Sequence, residues 1–178
     1  MAEARLDAWL DSPVVRTLHR RPAAADPSEL WSRATEVRLR DTGSLGRLVR
    51  WRIPGLAPDL TYHELFRGYP FVVLEEDEQL LVSGLCGRIW TLARDYPRIS
   101  GVDEFRAWDE PGTVRVAFGH WVEPGSDGVA ELVSEARVQA VDRSAALRIR
   151  ALWAVIGSFE RLVGGEALAL AARSAEQR

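Results

Sequence analysis

His120, Tyr62 and Glu64 are the side chains in this sequence whose acid–base chemistry falls where it can be used. His120 belongs to the run Val114, Val116, Phe118, His120, Val122, and strict alternation puts its imidazole on the apolar face of a strand. There it can hold a ligand oxygen or serve as acid or base, because small environmental shifts carry an imidazole across neutrality. The plainer role is a rim or core histidine satisfied by a backbone carbonyl. Tyr62-His63-Glu64 groups three proton-exchanging side chains at what reads as a cavity mouth, against the plainer reading of a solvated loop or helical turn.

Other chemistries are removed by composition. All 23 basic residues are arginine, so mechanisms that need a lysine amine are absent. Cys86, between Leu85 and Gly87 with no base nearby in sequence, reads as a small buried residue. The histidines His19, His63 and His120 show no ligand spacing, so no metal is expected, and no glycine-rich phosphate loop or other cofactor motif appears. A net charge of −3 without a basic block argues against nucleic acid as a partner; Arg16, Arg20 and Arg21 read as an exposed strand edge. No apolar run reaches the ~18 residues of a membrane span. With a lone cysteine and no leader pattern in Met1–Ser12, the expected location is the cytoplasm.

The elements that position these groups are legible from spacing. Ala2–Asp11 predicts a short amphipathic helix, and Val14–Arg21 a first strand near an edge. Asp26-Pro27-Ser28-Glu29 is a helix start, and a second short helix covers Ser44–Trp51. Phe71–Glu75 and Gln79–Leu85 form a hairpin whose second strand continues through Arg88-Ile89-Trp90, with Gly84 and Gly87 as bends. Val102–Trp108 is a short crossing helix. Gly112–Glu123 and Val129–Val141 are long strands around a Pro-Gly-Ser-Asp-Gly turn, and Asp142 caps the helical pattern that follows. Ile149, Leu152, Trp153, Ile156 and Phe159 line one stripe of that helix, which Gly157 can kink and Gly164-Gly165 can break. Pairing His120 with Leu132 sets Ala117 opposite Glu135. Glu135 and Arg137 then form an exposed charge pair with Arg115, worth well under ~1 kcal/mol. Trp121 lies on the same polar face, where an exposed indole would mark a contact between copies in a homodimer.

This order of elements resembles the helix-grip superfamily, the START-related and polyketide cyclase-like proteins also called SRPBCC. The resemblance rests on Asp26–Trp31 after the first strand, Gly84–Trp90, and Ser134-Glu135-Ala136-Arg137-Val138 running into Asp142. More narrowly, Gly84–Trp90, Pro111-Gly112 and Ser134–Val138 are similar to a bacterial SRPBCC-like subgroup from which no activity transfers. The resemblance implies an α+β fold over a single domain, 1–178. A curved antiparallel sheet of about six or seven strands wraps a long C-terminal helix, with two short helices after the first strand. It also implies a cavity between sheet and helix for a small hydrophobic or aromatic ligand. The expected contacts are Val116, Phe118, His120, Leu132, Ser134, Trp90, Ile149, Trp153 and Ile156. Three readings stay open: a carrier or sensor, a cyclase- or dehydratase-type enzyme using His120 with Tyr62 or Glu64, and an interaction module whose cavity is filled by its own side chains.

Overall fold

The structure, a computed structural model, describes residues 6–91, 96–163 and 165–177, without the side chains of Arg52 and 156–163. Strands β1 (Val15–Ala23), β2 (Val72–Asp77), β3 (Leu80–Gly87), β4 (Val114–Pro124) and β5 (Ala130–Ala140) form one curved antiparallel sheet in the order β1-β5-β4-β3-β2. Helices α1 (Pro27–Glu36), α2 (Ser44–Arg52) and α3 (Tyr62–Leu65) follow the first strand, and α4 (Val102–Ala107) crosses between β3 and β4. Helices α5 (Arg143–Val163) and α6 (Glu166–Glu176) close the chain. This is the expected helix-grip arrangement, with five strands among the described residues rather than six or seven. The connections that would supply more strands carry Pro54, Pro58, Pro70 and Pro97, which offer no N–H to a ladder.

β3 ends at Gly87, where φ of +129° turns the chain out of the sheet, so Arg88–Trp90 does not extend it. Gly84 pairs with Ala117 in an unbroken β3–β4 register, and the register shift between β2 and β3 falls at Val73/Glu75. A Cβ on Gly84 would lie 2.6 Å from the Phe105 ring and 2.9 Å from Leu74, so the glycine makes room for α4. Gly84→Ala is therefore expected to cost about 1–3 kcal/mol through overpacking, measured by urea unfolding.

Asp142 caps α5 as its sequence predicts. Its carboxylate accepts from the Ala145 N–H at 2.8 Å and, through the other oxygen, from Gly112 N–H at 2.5 Å, joining the helix to the start of β4. α5 remains helical through Gly157-Ser158, and the second helix begins at Glu166. The grip is thus divided. Ile149 and Ala145 of α5 pack on Val15, Val114 and Val138, while Leu168, Ala171 and Ala172 of α6 pack with Leu30, Val122 and Leu132. Glu166 opens α6 and also accepts from the Gly43 and Leu45 N–H groups at 2.6 and 2.9 Å, supplying α2 with the cap its own sequence lacks.

Both faces of the sheet are covered, which corrects the expectation of a polar outer face. Among the described residues the N-terminal segment carries a 3-10 turn, Leu6–Ala8, in place of the expected helix over Ala2–Asp11, whose residues 2–5 lie outside the described residues. Leu6, Leu10 and Phe105 pack on Ala117, Trp121, Val133 and Val82. Trp121 is 1% exposed and donates to Glu123 Oε1 at 2.7 Å, so its indole offers no surface to a second copy. Glu135 and Arg137 are likewise buried. Arg137 Nε donates to Glu135 Oε1 at 2.7 Å, and its Nη1 donates to the Leu10 carbonyl at 3.1 Å and to the Asp7 carboxylate. Arg16 donates to the same Glu135 oxygen at 2.6 Å from the edge strand. The β4–β5 register pairs His120 with Ser134 and Ala117 with Arg137, two residues from the expected one. A shift of two preserves the faces.

Candidate functional site

Two adjoining cavities lie between the inner face of the sheet and the helices. The larger has a volume of about 360 Å³, within the range of small-molecule pockets. Its floor is Val116 and Phe118 of β4, Ser134, Ala136 and Val138 of β5, and Thr17 and His19 of β1. Alternation brings these side chains to one face. The space exists because the central positions of β1 and β5 carry Thr17, Ser134 and Ala136, too small to meet the helices opposite. Its roof is Leu45, Leu48, Val49 and Ile53 of α2 with Leu65 and Phe66 at the end of α3, and Trp153 of α5 closes one side.

The smaller cavity, about 30 Å³, is lined by Trp31, Tyr62, His63, Leu81, His120 and Leu132, among others. It has room for about one small polar atom group or water. Tyr62 lines both cavities, and Ser134 of the larger is the register partner of His120 of the smaller.

His120 is buried, with the Phe66 ring centroid 4.6 Å and the Tyr62 centroid 5.1 Å from its own. Its Nε2 has no hydrogen-bond partner among the described residues. Burial first, and the neighbouring His63 second, push its pKa down to about 3, so the imidazole is neutral. His63, on α3, stands with its Nε2 3.4 Å from Arg67 and 3.8 Å from the Glu76 carboxylate. Burial and then Arg67 lower its pKa as well.

The sequence-predicted residues divide among several places. Val116, Phe118, Ser134 and Trp153 line the larger cavity; His120 and Leu132 line the smaller, and Tyr62 lines both. Ile149 is fully buried in the core beside Val138, and Trp90 packs on that cluster beneath the Arg148 guanidinium. The Ile156 side chain lies outside the described residues. Glu64 belongs to neither cavity. Its carboxylate turns back to accept from the Thr61 N–H and hydroxyl, each at 2.9 Å, while the Thr61 hydroxyl accepts from the Glu64 N–H at 3.1 Å. The Glu64 N–H and carboxylate complete the reciprocal cap of α3, so Glu64 is not a partner for His120.

No family model matches the chain, and no curated protein sequence matches it. Among solved structures it is similar to a hypothetical protein of Helicobacter pylori, jhp0584, at 8% identity over 95% of this chain and 93% of that one, with a TM-score of 0.41. It is also similar to the ZhuI aromatase/cyclase of Streptomyces sp. R1128, at 14% identity over 92% of this chain and 96% of that one, with a TM-score of 0.34. A third similarity is to the di-domain aromatase/cyclase StfQ of the steffimycin biosynthetic pathway, at 13% identity and a TM-score of 0.35, covering 93% of this chain and 52% of that one. At these scores the likeness carries no residue role and no activity to this chain.

Sequence reasoning missed His19, Phe66, Phe71 and the α2 side chains. The signal for His19 was present: Val15, Thr17 and His19 alternate as cleanly as β4 does, but an edge strand alone does not say which of its faces is inward. Phe66 and Phe71 flank a loop without periodicity, and the tertiary fold sets both rings against Phe118.

Proposed function

We propose that this chain holds a small apolar or aromatic molecule in the 360 Å³ cavity, as a carrier or sensor. The observation that supports this reading most is the cavity itself, floored and roofed by aliphatic and aromatic side chains and bordered by a few polar ones, the composition of a ligand pocket. The open volume speaks against a self-filled interaction module. Val116, Phe118, Ser134 and Trp153 are the expected contacts. The enzyme reading needs a group that fixes the His120 tautomer and places a proton within reach. Among the described residues neither cavity is lined by a carboxylate, and Glu64 is occupied in its cap. That difference favours binding over acid–base catalysis.

No helix among the described residues is long and apolar enough to cross a membrane. Native mass spectrometry of the purified protein is expected to show a co-purified small molecule. Ala136→Trp, which drives an indole into the cavity from its floor, is expected to abolish that adduct and weaken binding of an apolar probe by about 100-fold while keeping the wild-type circular dichroism spectrum. An unchanged adduct in the folded variant would place the ligand elsewhere.

A further inference from the structure

We propose that the ligand is an uncharged molecule with an apolar body and a single hydroxyl or carbonyl oxygen at one end, and that the rung His19–Ser134–His120 with Tyr62 receives that oxygen. The proposal rests on the cavity reading above and adds the chemical class of the occupant.

Most polar groups of the cavity floor share one rung, with Thr17 on the next rung beside Ala136. Antiparallel register sets His19 opposite Ser134 on one side and His120 opposite Ser134 on the other, so three hydrogen-bonding side chains cross three strands on one rung. Directly paired side chains on one face lie about 5 Å apart at Cβ, within one small ligand group of each other. Two rungs away along the strands the floor is Val116 and Val138, and Leu85 and Trp153 belong to the same apolar end. The cavity therefore has a wet end and a dry end. At the wet end the small cavity continues past Tyr62 to His120, whose Nε2 is buried with no hydrogen-bond partner among the described residues. An unpaired buried nitrogen costs free energy that a ligand oxygen placed there recovers.

The charge of the ligand follows from what is absent from the walls. Among the described residues, no arginine and no carboxylate lines either cavity. A carboxylate or ammonium ligand would lose its hydration with no counter-charge to meet it. A neutral imidazole, a serine hydroxyl and a tyrosine suit a neutral oxygen, because each can donate or accept as required.

Isothermal titration with naphthalene, 2-naphthol and 2-naphthoate tests this in the full chain. The expected result is 2-naphthol binding about 10-fold more tightly than naphthalene, with 2-naphthoate weakest, a margin that one good buried hydrogen bond supplies. Ser134→Ala and, separately, His120→Phe are each expected to reduce the naphthol preference over naphthalene to about 3-fold or less. Equal affinity for naphthol and naphthalene, with both lost in Ala136→Trp, would overturn the wet end and leave the cavity reading standing. Naphthoate binding tightest would overturn the neutral-ligand assignment. Binding of none of the three would overturn the cavity reading and this proposal with it.

Discussion

Replacing Arg137 with methionine is expected to lower the free energy of unfolding by about 3 kcal/mol, seen as a fall in the urea midpoint at unchanged slope. The size follows from burial. Arg137 is 2% exposed and Glu135 1%, so removing the guanidinium strands a carboxylate already short of partners, with Glu135 Oε2 unpaired among the described residues. An exposed pair of the same residues would cost well under ~1 kcal/mol, so the measurement separates the two geometries. Arg16 still reaches Glu135 Oε1, which keeps the expected loss at the lower end for a broken buried pair. The double variant Glu135→Leu with Arg137→Met should recover at least half of the loss, because it removes the stranded charge together with its partner. Both residues lie on the face away from the cavity, so probe affinity should stay within about 2-fold. Lost affinity with unchanged stability would show that the sheet faces had been assigned the wrong way round.

Acid is expected to destabilise this protein well before its carboxylates titrate. The native state holds the His120 pKa near 3, through burial and then His63, whereas an unfolded histidine titrates near ~6.5. Between those values the unfolded chain binds the proton and the native chain does not. Stability is therefore full above the unfolded pKa and falls as pH drops below it, at up to ~1.4 kcal/mol per pH unit. His63, lowered in the same direction, adds to the slope. Asp26, Asp142 and Glu166 have lowered pKa values through the hydrogen bonds their carboxylates accept, and they contribute only below ~4.5, where their unfolded forms protonate. The window from pH 6.5 to 5 thus belongs to the histidines, with an expected loss of about 2 kcal/mol from His120 alone. Urea midpoints across that window should fall steeply for the wild type and much less for His120→Phe, whose ring can take the place between Tyr62 and Phe66. A flat wild-type profile would show that the imidazole is not held neutral in the native state.

The preference for binding over catalysis proposed above rests on one point of the site's geometry. A general base needs both a substrate proton and a group that fixes its tautomer. His120 has aromatic rings as neighbours, and the carboxylate nearest to Tyr62 in sequence, Glu64, is committed to Thr61. Among the described residues the site offers a buried, neutral hydrogen-bonding group beside an apolar space.

The sequence by itself determined where the five described strands run, though not where β3 ends, which of the longer helices have caps, and which side chains share a face. Alternation in β4 and β5 is a local property, carried by neighbouring residues and enforced by the pleat, so Val116, Phe118, His120 and Ser134 were placed on one face without knowledge of their partners. The same holds for the caps at Asp26 and Asp142, whose oxygens reach N–H groups two or three residues away. Tertiary structure decided what lies over each face. The cover on Arg137 comes from Asp7 and Leu10, 130 and 127 residues away in sequence, and no period in β5 records that a second apolar layer will arrive on its charged side. It also decided the two-residue register that brings His19, Ser134 and His120 onto one rung. The cavity belongs to the same class of fact. It is the volume left when α2 and α3 meet a floor of small side chains, and a volume of that kind is set by the distances between elements rather than by the residues of any one of them.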